Sequence, residues 1–394
     1  MNDVQAAAAK RTVLLLAVAQ ALYSSCIITV FSTAGLVGLT IAPSQDLATL
    51  PITTFVLGSM FTTIPASFLM QRFGRRPIFA IGAVVSIIGA LTAAYAIFHG
   101  AFWLFCFATA LQGVFQATSN YYRFAAAESA GPENKSIAIS WVLTGGVVAA
   151  VAGTLIASTT ADLFAPFDYA GSYIAASVLA LLNLGIIAIL NLPKPSTAEV
   201  SGPQRSWSEL LQQPRLVVAM ASAMIAYALM NLMMTAAPVA MKYCGFDQHA
   251  SSWVIQWHVL AMFVPSFFTG LLIKKYGVMI ITSLGMVLLV TAGIAGLSGI
   301  TFGHFAVALI LLGLGWNFGF IGGTTMLTEC YRPSERGKVQ AANDFGISTL
   351  MAIASFSSGK LLANIGWSSV PITILPIAMA MLVLLLINNM RARA

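Results

Sequence analysis

The segment Ser67–Pro77, SFLMQRFGRRP, is a short basic turn between two long apolar stretches, and it decides how the sequence should fold. Residues 47–71 and 77–122, on either side of its basic centre, carry no Asp, Glu, Lys or Arg. A related segment, Lys274–Gly277, reads KKYG at 203 positions after Gln71–Gly74 and also separates two apolar stretches. About 20 apolar residues cross a bilayer as one helix, so this alternation predicts membrane-spanning helices joined by basic turns.

The composition of the whole chain also indicates a lipid environment. Of 394 residues, 59% are apolar and 8% are charged, whereas soluble domains carry about 25% charged residues. Seven charge-free stretches each fit one span, two double-length stretches fit two spans each, and residues 339–361 give a twelfth. Segments of about ten residues with alternating polarity, which a membrane barrel requires, are missing from the sequence. The predicted fold class is therefore an all-α membrane protein with twelve transmembrane helices.

The basic residues predict the orientation of these helices, because cytoplasmic loops carry the excess of Lys and Arg. Of the 19 basic residues, all except Lys242 and Lys360 occupy alternate connections. We therefore expect an integral protein of a bacterial inner membrane with both termini in the cytoplasm. The same distribution explains the net charge of +7, so the lipid bilayer and not a nucleic acid is the expected partner.

Two halves of the sequence match each other at a nearly fixed offset. Glu128-x-x-x-Pro132 after the fourth span corresponds to Glu329-x-x-x-Pro333 after the tenth. The polar residues 193–214 lie between the two sets of six spans. We predict six-helix bundles at residues 1–192 and 215–394, joined by a cytoplasmic linker at 193–214.

The basic turn resembles the signature that joins helices 2 and 3 of the major facilitator superfamily, Gly-x-x-x-Asp-Arg-x-Gly-Arg-Arg/Lys. The match holds at Arg72, Gly74, Arg75 and Arg76, but the leading glycine is Ser67 and the acid is Gln71. The resemblance implies two pseudo-symmetric bundles, rocker-switch alternating access, a cavity lined by helices 1, 4, 7 and 10, and a cytoplasmic latch against helix 11. The candidate gating residues are Gln71, Arg72, Gly74, Arg75, Arg76, Arg123, Glu128, Lys275, Gly277, Glu329, Arg336 and Asp344. Asp344 is expected near the cytoplasmic start of helix 11, where it can reach the interface or supply the latch charge that Gln71 lacks.

Helix 4 carries a polar stripe, because Thr109, Gln112, Gln116, Asn120 and Arg123 fall within a sector of about 60°. Two interpretations are open: the stripe lines a cavity, or it makes hydrogen bonds that hold neighbouring helices together. Three residues of the stripe and the polar and aromatic residues of helices 1, 7, 8 and 10 are the candidate substrate-binding residues. They are Gln20, Tyr23, Ser24, Gln112, Gln116, Asn120, Tyr227, Asn231, His258, Trp316 and Asn317.

No fixed charge is predicted at the middle of the four cavity helices, so a multiply charged substrate would be buried without a partner. The sequence favours a small neutral, zwitterionic or amphipathic organic substrate; if the substrate has a ring, Trp316 and Tyr227 could stack on it. His258 could bind such a substrate, carry a proton or serve only the packing. Coupling to protons, to sodium or to neither stays open.

Other classes of function fit the sequence less well. A secondary transporter is predicted, acting as a monomer without cofactor or metal; a membrane ligand sensor and an uncoupled facilitative uniporter remain alternatives. An enzyme is not expected, since HExxH, GxSxG and P-loop patterns are missing from the sequence and its four cysteines show no metal-binding spacing.

Overall fold

The computed structural model describes residues 3–44, 47, 50–192, 202–246 and 248–391, and within these ranges the chain contains helices and no β-strand. The first half holds α1 (Asp3–Ile41), α2 (Leu50–Phe73), α3 (Arg75–Phe98), α4 (Phe102–Ser119), α5 (Tyr122–Ser129), α6 (Lys135–Leu143), α7 (Gly145–Thr159) and α8 (Ala170–Ile189). The remainder holds α9 (Trp207–Leu211), α10 (Pro214–Tyr243), α11 (Gln248–Phe263), α12 (Ser266–Tyr276), α13 (Val278–Leu297), α14 (Phe302–Leu327), α15 (Arg336–Ile365) and α16 (Ser369–Arg391).

Among the described residues, 11 helical segments are long and apolar enough to cross a membrane. The remaining predicted span is α4, an 18-residue helix that carries Gln112 and Gln116. Two predicted spans are broken: α6 and α7 together form the fifth, and α11 and α12 form the eighth. The all-helical membrane fold class is confirmed.

The chain forms two compact units, each completed by a short segment from the other half of the sequence. Unit 1 comprises Met1–Ala130, Val142–Gly202 and Pro333–Phe345, and unit 2 comprises Gly131–Trp141, Pro203–Arg332 and Gly346–Ala394. We call Pro333–Phe345 and Gly131–Trp141 the exchanged segments.

The sequence did not indicate this exchange, and the boundaries of the two predicted bundles stay a prediction. Residues 193–201 of the predicted linker lie outside the described residues. The linker's far end contains α9, whose first turn is closed by a capping box between Ser206 and Glu209.

Within unit 1, glycines allow α2 and α4 to pack backbone against backbone. A Cβ atom on Gly113 of α4 would lie 2.6 Å from the backbone nitrogen of Ser59 and would collide with the carbonyl oxygen of Phe55. Gly58 of α2 makes the matching contact with α4, because a Cβ there would collide with the carbonyl of Ala110. Membrane helices gain no hydrophobic driving force from each other, so this close van der Waals contact is a main source of their association.

Substituting Gly113 tests that contact. We expect G113A to lower the free energy of unfolding by about 1–3 kcal/mol, because α2 and α4 must separate to admit the methyl group. The matched control is G185A in α8, where an added Cβ meets nothing within 4 Å. Thermal unfolding of both variants in the same detergent measures the difference. Equal melting temperatures would show that the α2–α4 contact is not tightly packed.

Unit 2 repeats the arrangement between α13 and α14. A Cβ on Gly285 would lie 2.6 Å from the backbone nitrogen of Gly319 and 3.0 Å from the carbonyl oxygen of Gly315. The side chains of α14 from Gly315 to Leu327 are all buried. This helix therefore forms the core of its unit, and its polar side chains need partners inside the protein.

Candidate functional site

Gln112 of α4 is bound to α3. Its Oε1 accepts a hydrogen bond from the Ser86 hydroxyl at 2.7 Å, and its Nε2 donates to the Ser86 carbonyl oxygen at 2.8 Å. Thr109 of the same helix bonds the Thr54 hydroxyl of α2 at 2.8 Å. Both side chains are fully buried. For these two residues the structure favours interhelical bonding, the second of the two interpretations.

The C-terminal part of the predicted stripe, from Gln116 to Arg123, is not a continuous helical face. The helix ends at Ser119, Asn120 is its C-cap, and Arg123 lies in the separate helix α5. Between them, Gln116 is half-buried, and its Oε1 is buried and accepts no hydrogen bond from the described residues. Gln116 therefore retains a buried acceptor that no described residue uses.

The helix 1 candidates lie close together on α1. Gln20 donates from Nε2 to the Ser24 hydroxyl at 3.0 Å, and both side chains are half-buried. Tyr23 is buried and packs edge-to-face on Phe115 of α4 and on Tyr122 of α5. Gln20 and Ser24 keep polar atoms that can change partner, whereas the ring of Tyr23 belongs to the packing.

In unit 2, Trp316 of α14 is the centre of an aromatic cluster. Its ring stacks on Phe320 with centroids 5.1 Å apart and an interplanar angle of 13°. Tyr227 of α10 meets both rings edge-to-face at 5.4 and 5.3 Å, and Phe263 of α11 meets Trp316 at 5.5 Å. Trp316 is 1% exposed and its indole N–H donates to no described residue, while Tyr227 is half-buried. The cluster thus combines a partly accessible ring with an unused donor.

Asn317, adjacent to Trp316, serves the packing of unit 2. Its Nδ2 donates to the Met262 carbonyl oxygen at 2.6 Å and to the Ser266 hydroxyl at 2.7 Å, and its Oδ1 accepts from Thr269 at 2.6 Å. These partners flank the break between α11 and α12, where Pro265 cannot continue the helical hydrogen bonding. Asn317 therefore satisfies the Met262 carbonyl beside the break and bonds the hydroxyls of Ser266 and Thr269.

The two remaining unit 2 candidates each bond a backbone carbonyl. Asn231 of α10 donates to the Met351 carbonyl at 3.0 Å. His258 of α11 is fully buried, and its Nδ1 lies 2.7 Å from the Leu309 carbonyl oxygen, which makes Nδ1 the donor. Its Nε2 is buried and has no hydrogen-bond partner among the described residues.

A second group of polar contacts surrounds the exchanged segment Pro333–Phe345 of unit 1. Arg75 donates from Nε and Nη2 to the two carboxylate oxygens of Glu128 at 3.0 and 2.6 Å, and from Nη2 to Gln340 at 3.0 Å. Arg336 lies 3.5 Å from the same carboxylate. Gln71 donates to the Ser334 carbonyl at 2.7 Å. The exchanged segment is thus held through side chains of α2, α3 and α5.

A buried ion pair joins the same segment to α5. Arg123 Nη2 lies 2.5 Å from Asp344 Oδ1, and the two side chains are 6% and 4% exposed. Asn343 also donates to that oxygen at 2.8 Å, whereas Oδ2 is buried and accepts no hydrogen bond from the described residues. Of the two alternatives for Asp344, contact with the interface is wrong, because its carboxylate is enclosed and paired with Arg123 instead of being hydrated. The latch charge stays a prediction.

The other gating candidates lie at or next to helix ends, and all of them except Gly74 are exposed. Gly74 and Gly277 have positive φ angles of 90° and 92° at the starts of α3 and α13, a conformation that favours glycine. Arg72 and Lys275 are exposed and lie over the adjacent rings of Phe73 and Tyr276. The further exposed contacts are Arg76 with the Ala188 carbonyl and Glu329 with Arg215.

Comparison with known proteins identifies the family. The sequence model of the Major Facilitator Superfamily matches residues 13–239 and 219–394. The chain belongs to this superfamily. It is 43% identical to the riboflavin transporter RfnT of Brucella anthropi over 97% of both chains.

Solved superfamily structures share the fold. The fucose:proton symporter FucP of E. coli superposes with a TM-score of 0.73 at 14% identity, covering 96% of this chain and 98% of that one. The human organic anion transporter MFSD10 gives 0.75 at 13%, covering 96% and 99%. These structures show the fold; the family match and the similarity to RfnT show a membrane-embedded superfamily transporter and not an enzyme, as the sequence predicted.

One difference from the superfamily signature has a visible consequence. Gln71 occupies the position of the acid, and it contacts the exchanged segment by donating to a carbonyl, which a carboxylate cannot do. Ser67, at the position of the glycine, donates to the Gly337 carbonyl at 2.8 Å. Sequence reasoning missed the side chains of Ser67, Ser86 and Gln340 as contacts. Their common signal, a hydroxyl or amide in an apolar helix or at its end, is too frequent to single them out.

Proposed function

We propose that this protein carries riboflavin, or a flavin closely related to it, across the membrane by rocker-switch alternating access. The observation that carries the proposal is the 43% identity to RfnT over 97% of both chains. An identity this high over nearly the full length of both chains supports a common substrate class. The sequence motifs alone indicated the family but not the substrate.

The chemistry of the two candidate clusters is compatible with a flavin. Riboflavin is uncharged near neutral pH and combines a planar tricyclic ring, polar ring edges and a polyol chain. In unit 2, the half-buried ring of Tyr227 and the unused indole N–H of Trp316 offer stacking and a donor. In unit 1, Gln116 offers an unused acceptor, and Gln20 and Ser24 offer groups that can bond hydroxyls. We propose these five residues as the substrate contacts, and leave Gln112 and Asn317 to the packing.

Alternating access requires a set of contacts that can break and re-form. We propose that the contacts between the exchanged segment Pro333–Phe345 and its neighbours in α2, α3 and α5 are that set. They are few, polar and concentrated around Glu128 and Asp344. Hydrogen bonds and ion pairs of this kind can exchange partners with water when the segment withdraws, whereas the glycine-mediated helix contacts cannot.

A transport assay with purified protein tests the proposed function. Proteoliposomes that contain the protein should take up labelled riboflavin with saturable kinetics, and unlabelled riboflavin should compete. Flavin mononucleotide, with its charged phosphate, and fucose should compete poorly. Empty liposomes provide the background, and repeating the assay with and without a proton gradient separates coupled from facilitative transport.

The possible outcomes test separately whether the substrate is riboflavin, whether the protein transports at all, and whether the substrate class is right. Transport of another planar compound without any flavin transport would reject riboflavin but keep the transporter. Flavin binding without uptake in either direction would favour the ligand-sensor alternative. Strong preference for a multiply charged anion would contradict the substrate class itself.

A further inference from the structure

A cavity of about 600 Å³ lies in unit 1 between the start of α3 and the end of α8. Its walls include the apolar side chains of Phe73, Pro77, Leu184, Ile187 and Leu192. None of the substrate candidates lines it. By the positive-inside prediction, these two helix ends lie at the cytoplasmic surface of the bilayer, so the cavity is expected at the depth of the lipid headgroups.

The polar side of the cavity is basic. Arg76 is exposed and lines the cavity, and it donates one hydrogen bond to the Ala188 carbonyl near the end of α8. A guanidinium group carries five N–H donors, so most of them remain available for an anion. Arg75 also lines the cavity; its charge is paired with Glu128, but its Nη1 is buried and donates to no described residue. None of the described lining residues is acidic.

The apolar surface continues from the cavity along both helices in the direction of the membrane interior. On α3, Ile81, Val84 and Ile88 are exposed, and on α8, Leu181 is exposed. A free anion would gain nothing from such a surface, whereas an acyl chain attached to a bound headgroup would lie against it. Basic pockets between membrane helices on the cytoplasmic side are suited to anionic lipid headgroups.

We propose that this cavity is a binding site for an anionic phospholipid, with the phosphate held by Arg76 and the acyl chains lying along α3 and α8. The site is separate from the proposed substrate contacts. It does not depend on which substrate the protein transports.

Lipid titration of the purified full-length protein in detergent tests the proposal. Native mass spectrometry and thermal unfolding are recorded with phosphatidylglycerol, with phosphatidylcholine and with inorganic phosphate. We expect phosphatidylglycerol to bind more tightly than phosphatidylcholine and to raise the melting temperature further. Inorganic phosphate should have little effect, because it lacks the acyl chains.

Two variants separate the contribution of the Arg76 charge to lipid binding from that of the cavity's shape. R76Q should weaken phosphatidylglycerol binding by roughly fivefold, as expected for the loss of one basic contact at a membrane surface. A80F keeps both arginines and fills the cavity that Ala80 lines, so it should also lose the preference for the anionic lipid. R11Q, which removes an exposed arginine of α1 outside the cavity, is the matched control and should bind as the wild type does.

Three results would overturn the proposal. The first is equal binding of the anionic and zwitterionic lipids by the wild type. The second is an undiminished preference in both R76Q and A80F. The third is stabilisation by inorganic phosphate equal to that by phosphatidylglycerol, which would make the site a free-anion site.

Discussion

Replacing Asp344 by leucine is expected to lower the free energy of unfolding by about 3–5 kcal/mol, the cost of leaving one partner of a buried ion pair without the other. Arg123 would stay charged, because a guanidinium does not lose its proton in proteins. The Arg123 side chain is 6% exposed, so water does not replace the lost carboxylate. The same substitution should also abolish transport, since it disrupts the contacts around the exchanged segment Pro333–Phe345. Thermal unfolding in detergent and flavin uptake in proteoliposomes measure the two effects.

A second variant and a matched control make this prediction specific. The double variant R123M/D344L should recover most of the stability, because neutral side chains of similar volume can replace a buried pair without loss. It should not recover transport if the pair is part of the moving contacts. The control E329Q breaks the pair Arg215–Glu329, whose side chains are 45% and 39% exposed, and should cost less than about 1 kcal/mol. A double variant as unstable as D344L would mean that local packing, and not the unpaired charge, determines the cost.

Removing the ring of Tyr227 should raise the KM for riboflavin about tenfold or more. Stacking of an aromatic side chain on a heteroaromatic base contributes about 1–3 kcal/mol, and Y227L removes that contribution while Y227F retains it. Y227F should therefore stay close to the wild-type KM. The measurement is the initial rate of riboflavin uptake over a range of concentrations.

The control for Tyr227 lies on the same helix. Tyr243, at the end of α10, is 74% exposed, so Y243L should leave the KM unchanged. If Y227L and Y243L behave alike, the aromatic cluster around Trp316 does not contact the substrate. A large effect of Y227F would instead place the recognition on the hydroxyl group.

Much of the fold followed from the sequence because the hydrocarbon of a bilayer strongly constrains the backbone of any segment that crosses it. A segment in hydrocarbon must be helical to satisfy its own backbone and needs about 20 residues to cross, so the charge-free stretches corresponded to helices. The breaks within these spans were less visible. The division of the eighth span follows from Pro265, but it is tolerated because Asn317, more than 50 positions away, bonds the Met262 carbonyl and the Ser266 hydroxyl beside it. A hydrogen bond between distant residues leaves no local pattern.

The candidate residues illustrate the same limit. Helical periodicity brought Gln112 and Gln116 to one stripe, yet Gln112 bonds Ser86 and Gln116 retains a free acceptor. Periodicity gives the face on which a side chain lies but not what the neighbouring helix presents there. For Asp344 the sequence left two alternatives, the interface and the latch charge, for a similar reason: its distance from the helix end was known and its partner Arg123 was not.

The sequence by itself determined that this protein is an all-helical membrane transporter of the major facilitator superfamily, because apolar length and the basic turn Ser67–Pro77 are properties of consecutive residues. Only the tertiary structure decided which polar groups remain unused. It paired Gln112, Asn317 and Asp344 inside the protein, left Gln116 and Trp316 with open hydrogen-bonding atoms, and placed Arg76 at a cavity. The physical reason is that a buried polar group is satisfied by residues that are close in space, and closeness in space is set by how the helices pack.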